Sequence, residues 1–333
     1  MGAERPGALA RFLGSTGFKL AVAAAIIALL LGSERLDASA LLALRDTWPW
    51  LLLAFLLMLP PYFIVSVRFA VVLRSQEIPA PFGLAVRWTM IGSFFDLAMP
   101  SSNGGDVLKA GLVARHFGAG MRTRAVMAVA FDRVLGLVGL FLLASLVGIA
   151  GWGFLREVKG HAALLAAAFG GSVGVLVAFR VLGARRLYNS AWLGRIFARG
   201  GAGDLLRKLV RAFNDLRERP ALLAAALALS VLNHVFWCAS LLCIARALGN
   251  DVPALAGFVV LPMAIFSNIF GFAGGFGLGT AGFDVLLALF LGIHNGALIG
   301  LVFQALQAAS KLLGLPWFLT RGEQPLEDSA PRG

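Results

Sequence analysis

Long apolar segments, separated by short polar gaps, follow one another along most of this chain. Six of them approach or exceed the roughly 20 residues that a helix needs to cross about 30 Å of hydrocarbon. These segments cover residues 18–31, 50–73, 126–150, 162–182, 221–245 and 295–319. The pattern predicts an all-α protein that crosses a membrane about six times.

Two further apolar segments are interrupted near their middle by residues that break helices. Segment 82–114 is broken at 100–106, where Pro100 precedes a pair of glycines, and segment 252–293 is broken by the glycine-rich stretch 271–282. Proline cannot continue a helix, and glycine allows turns that other residues resist. Each segment is therefore predicted to form two shorter helices.

Composition agrees with a membrane protein, because 59% of the residues are hydrophobic and only 14% are charged. Soluble proteins average roughly 45–50% and about 25%. The formal net charge is +12, and most Lys and Arg residues lie in the gaps between apolar segments. This distribution is typical of orientation against anionic lipid, so we expect a multi-pass protein of the inner (cytoplasmic) membrane that does not bind nucleic acid.

The charges of the gaps also predict which side each gap faces. Residues 1–19 and 183–219 have an excess of Lys and Arg, whereas 32–49 has none. The N-terminus and the 183–219 loop are therefore predicted to be cytoplasmic, with 32–49 outside. The gaps 68–87 and 101–124 are both basic, and a full crossing between them would put one of them outside.

Two re-entrant hairpins remove this conflict. Segment 82–114 would enter from the cytoplasm and return to it, and segment 252–293 would enter from the outside, which leaves the C-terminus cytoplasmic. Six spans and two opposed hairpins form an inverted repeat, with a substrate site between the broken helices. The alternative is eight full spans, with a basic external loop. We expect one transmembrane domain, 1–320, which includes the basic cytoplasmic loop 183–219, and a polar tail, 321–333.

The first hairpin contains the strongest candidates for a binding site. Its break offers N-cap residues for a helix that starts near Gly104, and the N-terminus of that helix would favour an anion such as a lipid phosphate. A capped loop near the membrane surface is the structural alternative. The candidate substrate-binding residues of the whole chain are Asp96, Ser101, Ser102, Asn103, Gly104, Gly105, Asp106, Lys109, Arg115, Asp132, Arg133 and Asp284.

Asp132 and Arg133 lie next to each other, well inside the apolar segment 126–150. Adjacent residues of a helix do not face each other, so each needs a partner elsewhere. Charges within a membrane indicate either function or an ion-pair network that locks helices together. The candidate partners are Asp96 and Asp106 for Arg133, and Lys109 and Arg68 for Asp132.

Other polar residues within apolar segments have less distinctive patterns. The G-x-G-x-x-G of stretch 271–282 lacks the strand that nucleotide binding requires, so helix packing or a hairpin tip is expected, with Asp284 just after it. Arg68 is interpreted as an interfacial anchor, and His234 as a packing residue or a proton relay. Three residues of the last span share one face, predicted to point inward, namely Gln304, Gln307 and Lys311.

No catalytic constellation or cofactor motif is present, so we expect neither an enzyme nor a bound metal or cofactor. A membrane-bound lipid or glycosyl transferase is the rival hypothesis, for which the chain offers only Asp106 and Asp132 as carboxylates. A third hypothesis is a non-transporting partner that recruits lipid-biosynthetic enzymes through the 183–219 loop. The sequence also leaves open whether the chain forms a homo-oligomer.

Several of these motifs resemble the lysylphosphatidylglycerol-synthase transmembrane-region family of flippase-like proteins. A D-R-V-x-G-L run starts at Asp132, and A-G-G-F-G starts at Ala273, where many members have proline. Gly279-Thr280 stands where many members have Arg-Glu. The main motif is FF-x-x-x-x-P-x-x-x-GGD-x-x-K, formed by Phe94, Phe95, Pro100, Gly104, Gly105, Asp106 and Lys109.

The resemblance implies a role in lipid translocation without naming the lipid. Larger relatives flip aminoacylated phosphatidylglycerol and carry a soluble synthase domain, which this chain does not contain. Small members are linked to lipid-linked sugar pathways and to hopanoid gene clusters. An amphipathic lipid, of phospholipid or isoprenoid type, is therefore the expected partner, moved passively or with a coupled ion.

Overall fold

The computed structural model describes residues 45–98, 104–117, 122–155, ten positions between 162 and 177, 218–268 and 278–319. Within these ranges the regular structure is helical and no residue is in a β-strand. The all-α prediction is confirmed. The first predicted span, 18–31, most of the loop 183–219 and the tail 321–333 lie outside the described residues.

Four helices or helix pairs are long and apolar enough to cross a membrane, and they match four of the six predicted spans. Two of these four spans are each made of two helices. In the first span a new helix begins at Pro60-Pro61, and in the last span a 3₁₀ turn separates the two helices. The described positions between 162 and 177 are also helical. The spans are α1 (Trp48–Leu57) with α2 (Pro60–Ser75), α5 (Arg122–Ala150), α7 (Pro220–Ala247), and α10 (Gly296–Lys311) with the 3₁₀ turn Leu312–Gly314 and α11 (Leu315–Leu319); a short helix, α6 (Trp152–Leu155), follows α5.

The first interrupted segment is an antiparallel pair of helices, α3 (Phe82–Ala98) and α4 (Gly104–Phe117). The rings of Trp88 and His116 lie 5.7 Å apart near its open end, and Gly105 contacts α3 at the tip. At about 1.5 Å per residue, these helices are about 25 and 21 Å long. The tip packs on the long helix Arg122–Ala150, because Asp96 and Asp106 both contact Arg133 of that helix.

The second interrupted segment repeats this arrangement with α8 (Ala254–Ser267) and α9 (Leu278–Leu291). The hydroxyl of Ser267 donates a hydrogen bond to the carbonyl of Gly279 (3.2 Å), which joins the two helices at their tip. The predicted role of the glycines in helix packing is confirmed at Gly279 and Gly282, which lie against Asn268 and Ser267.

The two hairpins have their open ends at opposite ends of the long helices. At one end, Glu77 contacts Arg124 and Arg219, so this end holds the connection from α2 to α3 and the starts of α5 and α7. At the other end, Asn250 contacts Asn295, which joins the connection from α7 to α8 with the start of α10. The opposed orientation predicted from charge is present in the fold.

The two halves also match in length. The connections 76–81 and 248–253 are equally long. Two residues after the end of both α2 and α7, the chain adopts the left-handed conformation, at Glu77 with φ of 57° and at Gly249 with φ of 80°. The chain therefore repeats one unit, a long helix, a hairpin and a second long helix, in inverted orientation.

Both hairpins pack on the long helices through buried apolar side chains. The first contacts α2 and α5 of its own half and, through α3, also α10 and the 3₁₀ turn after it. The second contacts α7 and α10 of its own half and, through α8, also α5. The largest fully buried side chains are Phe69, Leu73, Ile78, Trp88 and Leu135 in one cluster and Met58, Leu241, Ile244, Phe283 and Phe303 in the other.

Candidate functional site

Three charged side chains meet where the first hairpin packs on the long helices. Asp132 Oδ1 accepts a hydrogen bond from Arg68 Nε at 2.8 Å, and its Oδ2 lies 3.4 Å from Lys109 Nζ. Only 5%, 4% and 4% of Arg68, Lys109 and Asp132 is exposed. Both predicted partners of Asp132 are confirmed. The interpretation of Arg68 as an interfacial anchor is wrong, because its side chain turns inward to the carboxylate.

A second ion-pair group lies at the tip of the first hairpin. Arg133 contacts the carboxylates of both Asp106 and Asp96, the latter at 3.4 Å. Both predicted partners of Arg133 are confirmed. In contrast to the buried triad of Arg68, Lys109 and Asp132, the Arg133 side chain is 50% exposed.

The tip is held together by a backbone contact. Gly105 N–H donates a hydrogen bond to Asp96 Oδ1 at 2.9 Å, and the backbones of Gly92 and Gly105 approach so closely that a side chain on Gly105 would overlap the Gly92 carbonyl. A helix was predicted to start near Gly104, and the described residues are helical from Gly104 onward. The sequence predicted an anion at the N-terminus of this helix, and in the structure the carboxylate of Asp96 occupies that position. The predicted cap residues Ser101, Ser102 and Asn103 lie outside the described residues.

The tip of the second hairpin has a neutral network at matching positions. Thr280 donates to Gln304 Oε1 (3.2 Å), and Gln304 Nε2 donates to Asn268 Oδ1 (3.1 Å). Asn268 and Asp96 are each the fifteenth residue from the start of their hairpin, and Thr280 and Asp106 are each the third residue of the returning helix. One tip is thus bridged by an arginine between carboxylates, and the other by a glutamine between neutral groups.

A cavity of about 340 Å³ with many polar side chains in its wall, here named the central cavity, lies between the two tips. This volume falls within the roughly 300–1,000 Å³ that is typical of ligand sites. Both charged groups of the first half line it, together with polar side chains of α7 and α10. The polar residues of its wall include Arg68, Thr89, Asp96, Asp106, Lys109, Asp132, Arg133, Asn233, His234, Asn268, Gln307 and Lys311.

A separate groove of about 890 Å³ runs between α4 and α5. Apolar side chains form most of its described wall, among them Val107, Val126 and Val129. Arg115 lines this groove and is absent from the described wall of the central cavity. Asp106 and Arg133 line both spaces, so this ion pair separates the apolar groove from the polar cavity.

One predicted site residue lies elsewhere. Asp284 is buried within the second hairpin, where its Oδ1 accepts a hydrogen bond from the backbone N–H of Ala297 at 3.3 Å. It therefore caps the start of α10 and is absent from the described lining of the cavity.

The cavity also contains residues that the sequence did not single out as binding residues. Lys311 lines it from α10, and Thr89 and Asn233 are buried polar residues of its wall. The inward orientation predicted for the face with Gln307 and Lys311 is confirmed. His234 contacts the Gly136 carbonyl at 2.9 Å, as expected for a packing residue, and also lines the cavity.

Comparisons with known proteins agree with the motifs of the first hairpin. No curated protein and no solved structure was found to match the chain. The family model described as the lysylphosphatidylglycerol synthase TM region matches residues 18–313, which include both hairpins and all four long spans almost to their ends. The chain therefore belongs to this family of multi-pass membrane proteins, whose description ties it to lipid handling.

Proposed function

We propose that this protein translocates an amphipathic lipid between the leaflets of the inner (cytoplasmic) membrane and catalyses no covalent step. The head group would pass through the central cavity while the tails remain in apolar surroundings. The first hairpin would open toward the cytoplasm, and both chain termini would be cytoplasmic, because basic residues are concentrated at that end.

The position of the Arg133–Asp106 pair is the observation that supports this proposal best. The pair belongs to the wall of the apolar groove and to the wall of the polar cavity. A lipid needs such a boundary, because its tails require an apolar surface and its head group requires polar partners. A half-exposed arginine at membrane depth is costly unless it has a role or a shelter, which favours function over packing.

In this mechanism the lipid phosphate replaces a carboxylate as the partner of Arg133. A guanidinium binds carboxylate and phosphate with the same bidentate geometry, so the exchange leaves the charge of Arg133 paired throughout. Asp96 and Asp106 keep the arginine oriented when no lipid is present. The buried triad stays intact and holds α2, α4 and α5 in place.

The test is leaflet-resolved translocation of fluorescent phospholipids in proteoliposomes. We expect Arg133→Gln and Asp106→Asn to reduce the rate at least about tenfold, the effect of losing one charge-assisted contact. Arg246→Gln is the matched control, because Arg246 forms an exposed ion pair with Asp251 far from the cavity. Wild-type rates in both site variants would refute the role of this pair.

A further inference from the structure

The central cavity holds more positive than negative charge. Its described wall contains four cationic side chains and three carboxylates, with His234 counted as neutral. The buried triad has one excess positive charge, the group around Arg133 has one excess negative charge, and Lys311 adds a further positive charge. The charged residues of the wall are Arg68, Lys109, Arg133 and Lys311, with Asp96, Asp106 and Asp132.

Lys311 is the cation without a direct partner. In the part of the chain that the structure describes, no carboxylate lies within the 4 Å limit of an ion pair with its ammonium group. Asp96 attracts the ammonium group of Lys311 and Arg133 repels it, and the Asp96 carboxylate already binds Arg133 and the backbone of Gly105. An unpaired ammonium group at membrane depth is unfavourable, and an anion in the cavity would relieve it.

Three residues of the cavity wall carry neutral hydrogen-bonding atoms that have no partner in the described structure. These atoms are Thr89 Oγ1, Asn233 Oδ1 and His234 Nδ1. Each atom is itself almost completely covered, so a small rotation of its side chain would bring it to a hydrogen-bonding occupant of the cavity, and buried polar atoms normally have such a partner. Asn268 of the second tip adds an amide group to the same wall.

We infer that the transported head group carries one net negative charge, held between Arg133 and Lys311 of the cavity wall, together with hydroxyl groups that bind the neutral residues of that wall. This inference rests on the proposed function and adds the substrate class. One negative charge neutralises the excess of the cavity, and hydroxyls both donate and accept the hydrogen bonds that the wall atoms lack. A cationic head group, such as an aminoacylated one, would instead meet a like charge.

Four probe lipids separate the two parts of this inference. Phosphatidylinositol has the charge and the hydroxyls, phosphatidylmethanol has only the charge, glucosylceramide has only the hydroxyls, and phosphatidylcholine has neither in net terms. We expect phosphatidylinositol to bind most tightly to the full chain in detergent and to move fastest in proteoliposomes. A cationic lysyl-phosphatidylglycerol probe should bind least.

Two variants then assign the preferences to residues. Lys311→Gln should reduce the preference for phosphatidylinositol over glucosylceramide about tenfold, and Lys311→Arg should restore it. Asn233→Leu should reduce the preference for phosphatidylinositol over phosphatidylmethanol. Because Asn233→Leu places an apolar side chain in a polar wall, its melting temperature is measured alongside, and Lys311→Gln carries the test if that variant fails to fold.

The outcomes distinguish this inference from the proposed function. Selective binding without translocation would support the head-group class and refute translocation. Translocation with equal preference for all four probes, or with preference for the cationic probe, would support translocation and refute the head-group class. Binding of inorganic phosphate alone, with no difference among the lipids, would also refute the lipid head group as the occupant.

Discussion

Arg68 and Asp132 form an ion pair of 2.8 Å, and both side chains are almost completely buried between α2 and α5. Lys109 of α4 shares the same carboxylate, and Arg68 Nη1 also donates to Ser230 Oγ of α7 at 3.0 Å. One carboxylate thus connects the first hairpin to three long helices. This arrangement fixes the rotation of α4, which in turn places Asp106 beside Arg133.

Loss of the Asp132 carboxylate should destabilise the fold strongly. Asp132→Asn leaves two buried cations without a negative partner, and removing one member of a buried pair typically costs about 3–5 kcal/mol. Lys109→Met is the contrasting variant, because it leaves the Arg68–Asp132 pair intact and replaces only the second cation. Denaturant titration in detergent should show a much larger loss for Asp132→Asn, and equal losses would contradict this account.

A methyl group at the tip of the first hairpin should destabilise the contact between its two helices. Gly105→Ala would place Cβ against the Gly92 carbonyl and the Asp96 carboxylate, and such overpacking typically costs about 1–3 kcal/mol. Gly111→Ala in the same helix is the control, since no atom lies within 4 Å of the added group. We expect a lower melting temperature for Gly105→Ala only. A normal melting temperature there would show that the two backbones can separate without penalty.

A large side chain in the groove between α4 and α5 should block lipid movement without unfolding the protein. Gly111 lines this groove and has open space around its Cβ position. Gly111→Trp should therefore slow translocation several-fold while the melting temperature stays within a few degrees of wild type. Gly111→Ala should leave the rate unchanged. If Gly111→Trp transports normally, the tails do not use this groove.

Thiol labelling should find the open ends of the two hairpins on opposite sides of the membrane. Single cysteines at Gly83 and Thr123 lie at one end of the fold, and a cysteine at Ala254 lies at the other. In a background without the native Cys238 and Cys243, an impermeant maleimide should label the first two from the cytoplasm and the third from outside. Labelling of positions 83 and 123 from opposite sides would favour eight full spans.

Much of the fold follows from features that are local in the sequence. The lengths of the apolar segments identify the spans, because a helix that crosses the bilayer needs a minimum length. Pro100 and the glycines after it predict a helix from about Gly104, and the described residues Gly104–Phe117 are helical. The opposed hairpins follow from the charges of neighbouring gaps, since the positive-inside rule acts on each gap separately.

Part of the candidate site could also be inferred in this way. Adjacent Asp132 and Arg133 point to different sides of one helix, so separate partners were expected for each, and both sets are present. The sequence offers two candidate partners for Asp132 and two for Arg133. The structure shows that Arg133 contacts both carboxylates of the tip and that Asp132 contacts both cations of the triad.

Only the tertiary structure decided which distant residues share the central cavity. Arg68 had the pattern of an interfacial anchor and Asp284 that of a site residue, yet the first is buried in the cavity wall and the second caps α10. Periodicity shows which residues share a helix face, but the rotation of that face depends on packing against helices far away in the sequence. By itself the sequence determined a membrane protein with two broken segments. Packing of the inverted halves brought Lys311 to the tip of the first hairpin and gave the cavity its excess positive charge.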